Sequence, residues 1–205
     1  MTTALSPRRA AKRAQISAAA RKLFLAQGFA ATSMDAVTAE AAVSKQTLYA
    51  YFPTKIDLLG DVILNGISQL VMDPPDLDRM RTLEDLRRNL VEFSVRLTAN
   101  LLQPESIALV RLVLGEVFRV PELRSGFREA LPGQVLDRTE KLLRYSAELD
   151  LIRLDDPELS ARMYVGSMMT YIALDGFLSV EPSGPPPRAE LEKLVDVFLT
   201  TVTRS

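Results

Sequence analysis

Two short amphipathic segments joined by a tight turn occupy residues 32–55, TSMDAVTAEAAVSKQTLYAYFPTK, and they constrain the fold more than any other part of the chain. Thr32 and Ser33 are good N-caps, and apolar residues recur after them at spacings of three and four, which predicts a short helix. Ser44 can cap a second helix, in which Leu48 and Phe52 are four residues apart and face inward. The outer face of the second helix is then polar, aromatic and basic. The pattern predicts a helix-turn-helix motif.

The remaining segments also have helical periodicity, and no convincing strand pattern or Gly-rich phosphate loop is found among them. A first helix is expected from Pro7 to Gln27, and the proline pair at 74–75 is expected to end the helix that follows the motif. Pro132-Gly133 is expected to divide residues 121–148 into a short helix and a longer one. We therefore predict an all-α protein with a homeodomain-like, three-helix domain over residues 1–55 and a helical bundle over residues 56–205.

The composition excludes most enzymatic and metal-binding functions. The 205 residues include no cysteine and no histidine, so Cys-ligated zinc, a thiolate nucleophile and the commonest metal ligand and general base are all ruled out. We expect no catalytic site, no metal and no cofactor. No apolar run reaches the roughly 18 residues that a membrane helix needs, and the N-terminus lacks the apolar core of a secretory signal. A cytoplasmic protein without membrane contact is expected.

Charge is distributed unevenly along the chain. Residues 1–55 contain eight basic and two acidic side chains, a net charge of +6, which leaves −7 for the remainder of a chain whose total is −1. A basic lobe on an acidic body is the pattern expected when one end of a protein meets a polyanion and the other does not. A solvated basic face without a partner is the alternative, and the helix-turn-helix pattern argues against it.

The motif resembles the DNA-binding domain of the TetR/AcrR family of transcriptional regulators, over about residues 8 to 60. The positions that correspond to the family signature are Ser33, Val37, Thr38, Ala41, Ala42, Val43, Ser44, Thr47, Leu48, Tyr49, Tyr51, Phe52, Lys55 and Leu58. A weaker resemblance connects RLVLGEVFRVPEL and LDDPELSARMYVGSMM, further along the chain, to the C-terminal domains of an AefR-like branch. The resemblance implies a DNA-binding regulator, a repressor in most such proteins.

Two positions depart from the family pattern in a way that bears on function. Ala42 stands where the family has a turn glycine, and a left-handed backbone there would cost about 1 kcal/mol. Asp35 lies near where the family meets the DNA backbone. Its carboxylate would repel phosphate there unless it is engaged in capping the helix. We expect Asp35 to cap its own helix together with Thr32.

The resemblance implies that the second motif helix lies in the major groove of double-stranded DNA. Lys45 can donate to guanine O6 and N7, Gln46 can pair with adenine N6 and N7, and Thr47 can add a methyl or hydroxyl contact. The other expected DNA contacts, which would position the protein on phosphates, are Thr32, Ser33, Ser44, Tyr49, Tyr51 and Lys55. For Tyr49, core packing is the alternative. The basic residues at 8, 9, 12 and 13 form either a flexible arm in the minor groove or a solubilising tail.

In the resembled family the C-terminal body pairs two copies and binds a ligand. The penultimate helix has apolar stripes on several sides, and with the last helix it is expected to form a four-helix interface in a homodimer. Two recognition helices one DNA turn apart, about 34 Å, then imply a pseudo-palindromic operator.

A small, largely apolar effector is expected to bind among the helices of the body and to release the repressor by favouring another conformation. The candidate lining residues are Phe93, Phe118, Met168 and Tyr171, with Asn89, Arg111 or Glu116 as a polar anchor. For each of them ordinary packing or pairing is the alternative. A DNA-binding regulator with no small ligand, controlled by a protein partner or by its own concentration, is the second hypothesis.

Overall fold

The computed structural model describes residues 6–70 and 80–203, and its side-chain detail covers all of these except 67–70 and 122–132. Every regular element in these ranges is helical, which confirms the predicted all-α class. The helices are α1 (Pro7–Gln27), α2 (Met34–Glu40), α3 (Lys45–Tyr51), α4 (Lys55–Leu70), α5 (Leu83–Leu101), α6 (Pro104–Val117), α7 (Glu122–Glu148), α8 (Pro157–Tyr171), a π-helical continuation of α8 (Ile172–Phe177) and α9 (Arg188–Val202). None of the helices in these ranges is both long and apolar enough to cross a bilayer.

Side-chain caps set several helix boundaries where the sequence predicts them. The Ser33 hydroxyl accepts from the backbone N–H of Ala36 and begins α2, and the Ser44 hydroxyl accepts from Thr47 N–H and begins α3. Thr82 begins α5 with a reciprocal capping box. Each cap satisfies amide donors that would otherwise lack a partner in the first turn. Local chemistry therefore fixes the starts of both motif helices.

Contacts divide the chain into two compact units, and the first contains the motif. It comprises the described residues up to Ile67 together with Ala108–Phe127. Its core joins the inward faces of the first four helices and includes Ile16, Ala20, Phe24, Val37, Leu48, Phe52, Leu58, Leu59 and Val62. The unit extends beyond residue 55 and includes Leu58, Leu59, Val62 and Ile63 of α4, which are buried. A Cβ added at Gly66 of α4 would overlap the side chain of Leu109 in α6, so glycine permits that close approach.

The second unit comprises the described parts of Ser68–Ile107 and Arg128–Ser205. Its core is formed mainly by α5, α8 and α9, with contributions from the C-terminal half of α7. Tyr164 of α8 is fully buried at its centre, where its ring lies 5.1 Å from that of Phe198 and 6.2 Å from that of Phe93. The unit is therefore a helical bundle built around one aromatic cluster.

Two helices differ from the sequence expectation. The expected division at Pro132-Gly133 is wrong, because α7 runs without interruption from Glu122 to Glu148. A proline removes only one amide donor and costs a helix about 3 kcal/mol, which buried contacts further along, at Leu142 and Leu143, can offset. The helix that begins with α8 continues beyond Tyr171 in π-helical and not α-helical form, and Gly176 in this continuation is buried against Leu102 and Ile107.

Candidate functional site

The outer face of α3 is exposed as the sequence predicts. Lys45 and Gln46 are exposed, and Tyr49 retains 46% of its surface. Leu48 is fully buried on the opposite side and holds the helix against the core. Thr47 is half-buried, and its hydroxyl lies 2.8 Å from that of Ser44, so the two hydroxyls form part of the helix cap. The first turn of α3 therefore presents one exposed cation and one exposed amide.

Ala42 adopts the left-handed backbone that the turn requires. Its φ is +48°, in a region that glycine occupies without strain. An alanine there costs about 1 kcal/mol. The turn nevertheless closes, because Ala41 and Ala42 amides donate to Val37 and Ala39 carbonyls. The turn therefore forms with alanine at this position.

The expected role of Asp35 as a cap with Thr32 is wrong. Ser33 provides the cap of α2, and Asp35 Oδ2 instead accepts a hydrogen bond from Lys45 Nζ at 2.8 Å. That hydrogen bond, followed by the charge of the carboxylate, raises the pKa of Lys45. Thr32 is buried, and its hydroxyl donates to the carbonyl oxygen of Gly28. Its side chain therefore stabilises the loop between α1 and α2.

Lys55 is held by the same loop. Its Nζ donates to the carbonyl oxygens of Phe29 (2.8 Å), Ala30 (3.3 Å) and Thr32 (2.8 Å), and it lies 4.4 Å from the centre of the Phe29 ring. An ammonium group has three N–H donors, so these carbonyls use its full capacity. Lys55 therefore connects the start of α4 to the entry of the motif.

Replacing Lys55 with alanine is expected to lower the free energy of unfolding by about 2 kcal/mol, because charge-assisted hydrogen bonds to part-buried carbonyls are lost. Urea denaturation followed by far-ultraviolet circular dichroism measures the change. Lys45→Ala removes the same charge from an exposed pair, so its free energy of unfolding is expected to stay close to that of the wild type. Equal losses in the two variants would contradict the structural role of Lys55.

The basic residues at positions 8, 9, 12 and 13 lie in the first two turns of α1, so they do not form a flexible arm. Arg13 Nε donates to Oδ1 of the buried Asp61 at 2.8 Å, and its guanidinium lies 5.1 Å from the Phe52 ring centre. The Arg9 guanidinium lies 5.7 Å from the centre of the Tyr51 ring. Two of the four cations thus pack against the end of α3.

The candidate effector residues are dispersed. Met168 is fully buried in the core of the second unit, and Phe93 packs against this core. Asn89 and Tyr171 are half-buried. Arg111 and Phe118 are exposed on and just after α6, in the first unit. These six residues line no common cavity among those described below.

An apolar cavity of about 260 Å³ lies in the second unit between α5, α7 and α8. It is lined by Leu101, Val135, Leu136, Arg162, Val165, Gly166 and Met169. Met168, the residue expected from the sequence to line the site, faces the core, whereas Met169 lines this cavity. Arg162 contributes the charged group of the lining, and its guanidinium donates to Glu158 one turn earlier. The cavity is suited to an apolar molecule.

A second depression, of about 560 Å³, lies along α8 and α9. Tyr171 and Phe198 line it, with Met163 and Val197 at 49% and 67% exposure. Other large apolar side chains exposed on α8 and its continuation are Leu159, Leu174 and Leu178. An apolar surface of this kind is typical of a protein–protein interface. Across the described residues, no three acidic side chains cluster closely enough to hold a metal ion.

Family models match most of the chain. Residues 11–62 match the model for bacterial regulatory proteins of the tetR family, and residues 88–203 match the model for the C-terminal domain of AefR-like transcriptional repressors. Uncharacterized HTH-type transcriptional regulators of Mycobacterium tuberculosis and Mycobacterium bovis are each 30% identical to the chain over 195 residues. The alignment covers 93% of this chain and 88% of each relative.

Solved structures resemble the chain over nearly its whole length. A TetR-family transcriptional regulator of Mesorhizobium loti superposes with a TM-score of 0.73 at 27% identity, covering 95% of this chain and 98% of the other. The flavonoid-responsive regulator FrrA superposes with a TM-score of 0.71 at 29% identity and the same coverage. The similarity therefore includes both the motif and the helical body.

Proposed function

Because the chain belongs to the TetR family of bacterial transcriptional regulators, we propose that it represses transcription by binding a specific operator as a homodimer and is released by a small apolar effector. The observation that carries DNA binding is the capped α3, which buries Leu48 and exposes Lys45 and Gln46. Its work on the chromosome would place the protein in the bacterial cytoplasm. The N-terminal residues 1–55 would recognise DNA, and residues 56–205 would pair and bind the effector.

Base recognition is assigned to the first turn of α3. Lys45 would donate to guanine and Gln46 would pair with adenine, and each good contact discriminates by about 1 to 3 kcal/mol. Thr47 is assigned a minor contact. Phosphate contacts that position the protein are assigned to Ser33, Ser44, Tyr49 and Tyr51, while Thr32 and Lys55 would act through the loop that they hold.

Pairing is assigned to the exposed apolar surface of α8 and α9. Met163, Leu174 and Val197 leave about half or more of their surface uncovered in the protomer, which a second copy would bury. A two-fold dimer would present two α3 helices to successive major grooves about 34 Å apart. The operator would therefore be a pseudo-palindrome.

The effector site is assigned to the apolar cavity between α5, α7 and α8. An effector acts only through a difference in its affinity for two conformations. Occupation of the cavity would favour a body conformation in which the two DNA-binding units no longer match the groove spacing, and repression would be relieved.

The direct test of DNA binding is a titration of the purified protein with DNA that flanks its own gene, at two salt concentrations and with excess random competitor. Saturable binding that weakens with salt and survives the competitor is expected, because specific affinity exceeds non-specific affinity by at least about 10³. If no genomic fragment binds in preference to the competitor, the proposal is wrong.

The cavity is tested by filling it. Gly166→Leu adds a side chain where nothing lies within 4 Å of the added Cβ, and it should raise helix stability by about 1 kcal/mol. Small apolar compounds that raise the melting temperature of the wild-type protein are expected to have no such effect on this variant.

Gly115→Leu is the matched control, because Gly115 is also an exposed helical glycine with no atom near an added Cβ and does not line the cavity. Compounds should stabilise this variant as they do the wild type. Equal stabilisation of both variants would place the effector elsewhere. A broad screen in which no compound stabilises the wild type would favour the regulator without a small ligand.

A further inference from the structure

A carboxylate lies beside the cation assigned to base recognition. Asp35, in the first turn of α2, accepts a hydrogen bond through Oδ2 from Lys45 Nζ in α3 at 2.8 Å. The two residues are ten positions apart and meet only because the turn brings the helices together. Each of the two side chains is 64% exposed, so the pair lies on the accessible surface of the motif.

Stability does not account for the pair. Ion pairs as exposed as this one contribute little to folding, because water screens the charges and two long side chains lose freedom. Ser33 already provides the side-chain cap of α2, so Asp35 is not needed for that purpose either. On a surface that meets a polyanion, a carboxylate opposes binding by repelling phosphate. Its position beside Lys45 therefore points to selectivity.

We infer that Asp35 is a specificity-determining residue that acts with Lys45 as one recognition unit, an inference that rests on the proposed DNA-binding function. A lone lysine is a mobile point charge that any phosphate can attract. Asp35 offsets that charge and accepts a hydrogen bond from one of the three N–H groups of the ammonium. Two donors remain for guanine O6 and N7, and the carboxylate can accept from cytosine N4. The pair thus favours a G·C base pair over bare phosphate.

Asp35→Asn tests the inference, because it removes the charge and retains the size of the side chain. The variant is expected to bind random DNA about three- to tenfold more tightly, and the dependence of log K on log salt should steepen by about 0.9 per protomer, one extra phosphate contact each. The ratio of operator to random-DNA affinity should fall roughly tenfold, with the loss concentrated at one base position per half-site. Titrations of an operator panel at several salt concentrations measure all three quantities.

Glu40→Gln is the matched control. Glu40 also lies in α2 and pairs with a lysine, Lys22, at 2.6 Å, but at the opposite end of the helix. Its replacement changes the net charge equally, and the specificity ratio should stay within about twofold of the wild type. A fall in the ratio of equal size in both variants would mean that net charge, and not the Asp35–Lys45 pair, controls selectivity.

Two further results would overturn the inference. If Asp35→Asn weakens operator binding as Lys45→Gln does and leaves random-DNA binding unchanged, then Asp35 only orients the lysine. If Asp35→Asn preserves the specificity ratio, the pair has no part in selection. Both results require a wild-type protein that discriminates its operator from random DNA, whereas a wild type that does not discriminate would defeat the proposed function itself.

Discussion

Replacing Tyr164 with alanine is expected to lower the free energy of unfolding by about 4 kcal/mol, within the 3 to 5 kcal/mol typical of large-to-small substitutions of aromatic residues in a core. The side chain is fully buried and contacts the rings of both Phe93 and Phe198. Its removal would leave an empty volume that rigid helices on either side cannot close completely. The second unit should therefore lose much of its stability.

The hydroxyl of Tyr164 carries a smaller part of this effect. It donates to the carbonyl oxygen of Leu90 at 2.6 Å and lies 2.7 Å from the Ser94 hydroxyl, which can donate to it. Burial raises the pKa of the phenol, so the group stays neutral and can continue to donate. Tyr164→Phe keeps the ring and removes these hydrogen bonds, and a loss of about 1 kcal/mol is expected.

Urea denaturation followed by circular dichroism separates the two variants, since the chain has no tryptophan for a fluorescence signal. A loss below about 1 kcal/mol for Tyr164→Ala would mean that the aromatic cluster is not the centre of the core. Equal losses for alanine and phenylalanine would assign the effect to the hydrogen bonds.

The helix-turn-helix motif could be predicted from sequence because local chemistry determines it. Ser33 and Ser44 cap their helices through amides only three residues away. Leu48 and Phe52, four residues apart, must share a face of α3 and are both buried. Interactions that close within one helical turn depend little on the rest of the fold.

The partners of the charged side chains could not be predicted in the same way. Lys55 contacts carbonyls 23 to 26 residues away, and Asp35 contacts a lysine ten residues away across a turn. Before the helices are placed, such a lysine is indistinguishable from a free phosphate-binding one. The expected cap at Asp35 was wrong for this reason.

The effector candidates illustrate a second limit. In α8, apolar residues occur on several sides, so sequence alone does not indicate whether Met168 or Met169 faces a cavity. The answer depends on which neighbouring helices cover each side. The π-helical turn after Tyr171 changes which side of the helix the following residues face. No residue pattern in the sequence predicts this turn.

Replacing Val197 with aspartate is expected to dissociate the proposed dimer and to weaken binding to the full operator by about 10² to 10⁴-fold. Val197 is 67% exposed in the protomer and lies on α9, where it lines the same depression as Met163. A second copy would bury it, and a carboxylate in an apolar interface without a partner opposes association. Once separated, each protomer binds one half-site, and the gain in affinity from linking two sites is lost.

Sedimentation at micromolar concentration, together with titration of the full operator and of a single half-site, tests this directly. The half-site affinity should be unchanged, because Val197 lies in the second unit and α3 in the first. Leu83→Asp is the matched control, since Leu83 is also an exposed apolar residue at 39% but begins α5. A Val197→Asp variant that remains dimeric would move the interface away from α8 and α9. A monomeric variant that keeps full operator affinity would show that the two DNA-binding units do not act together.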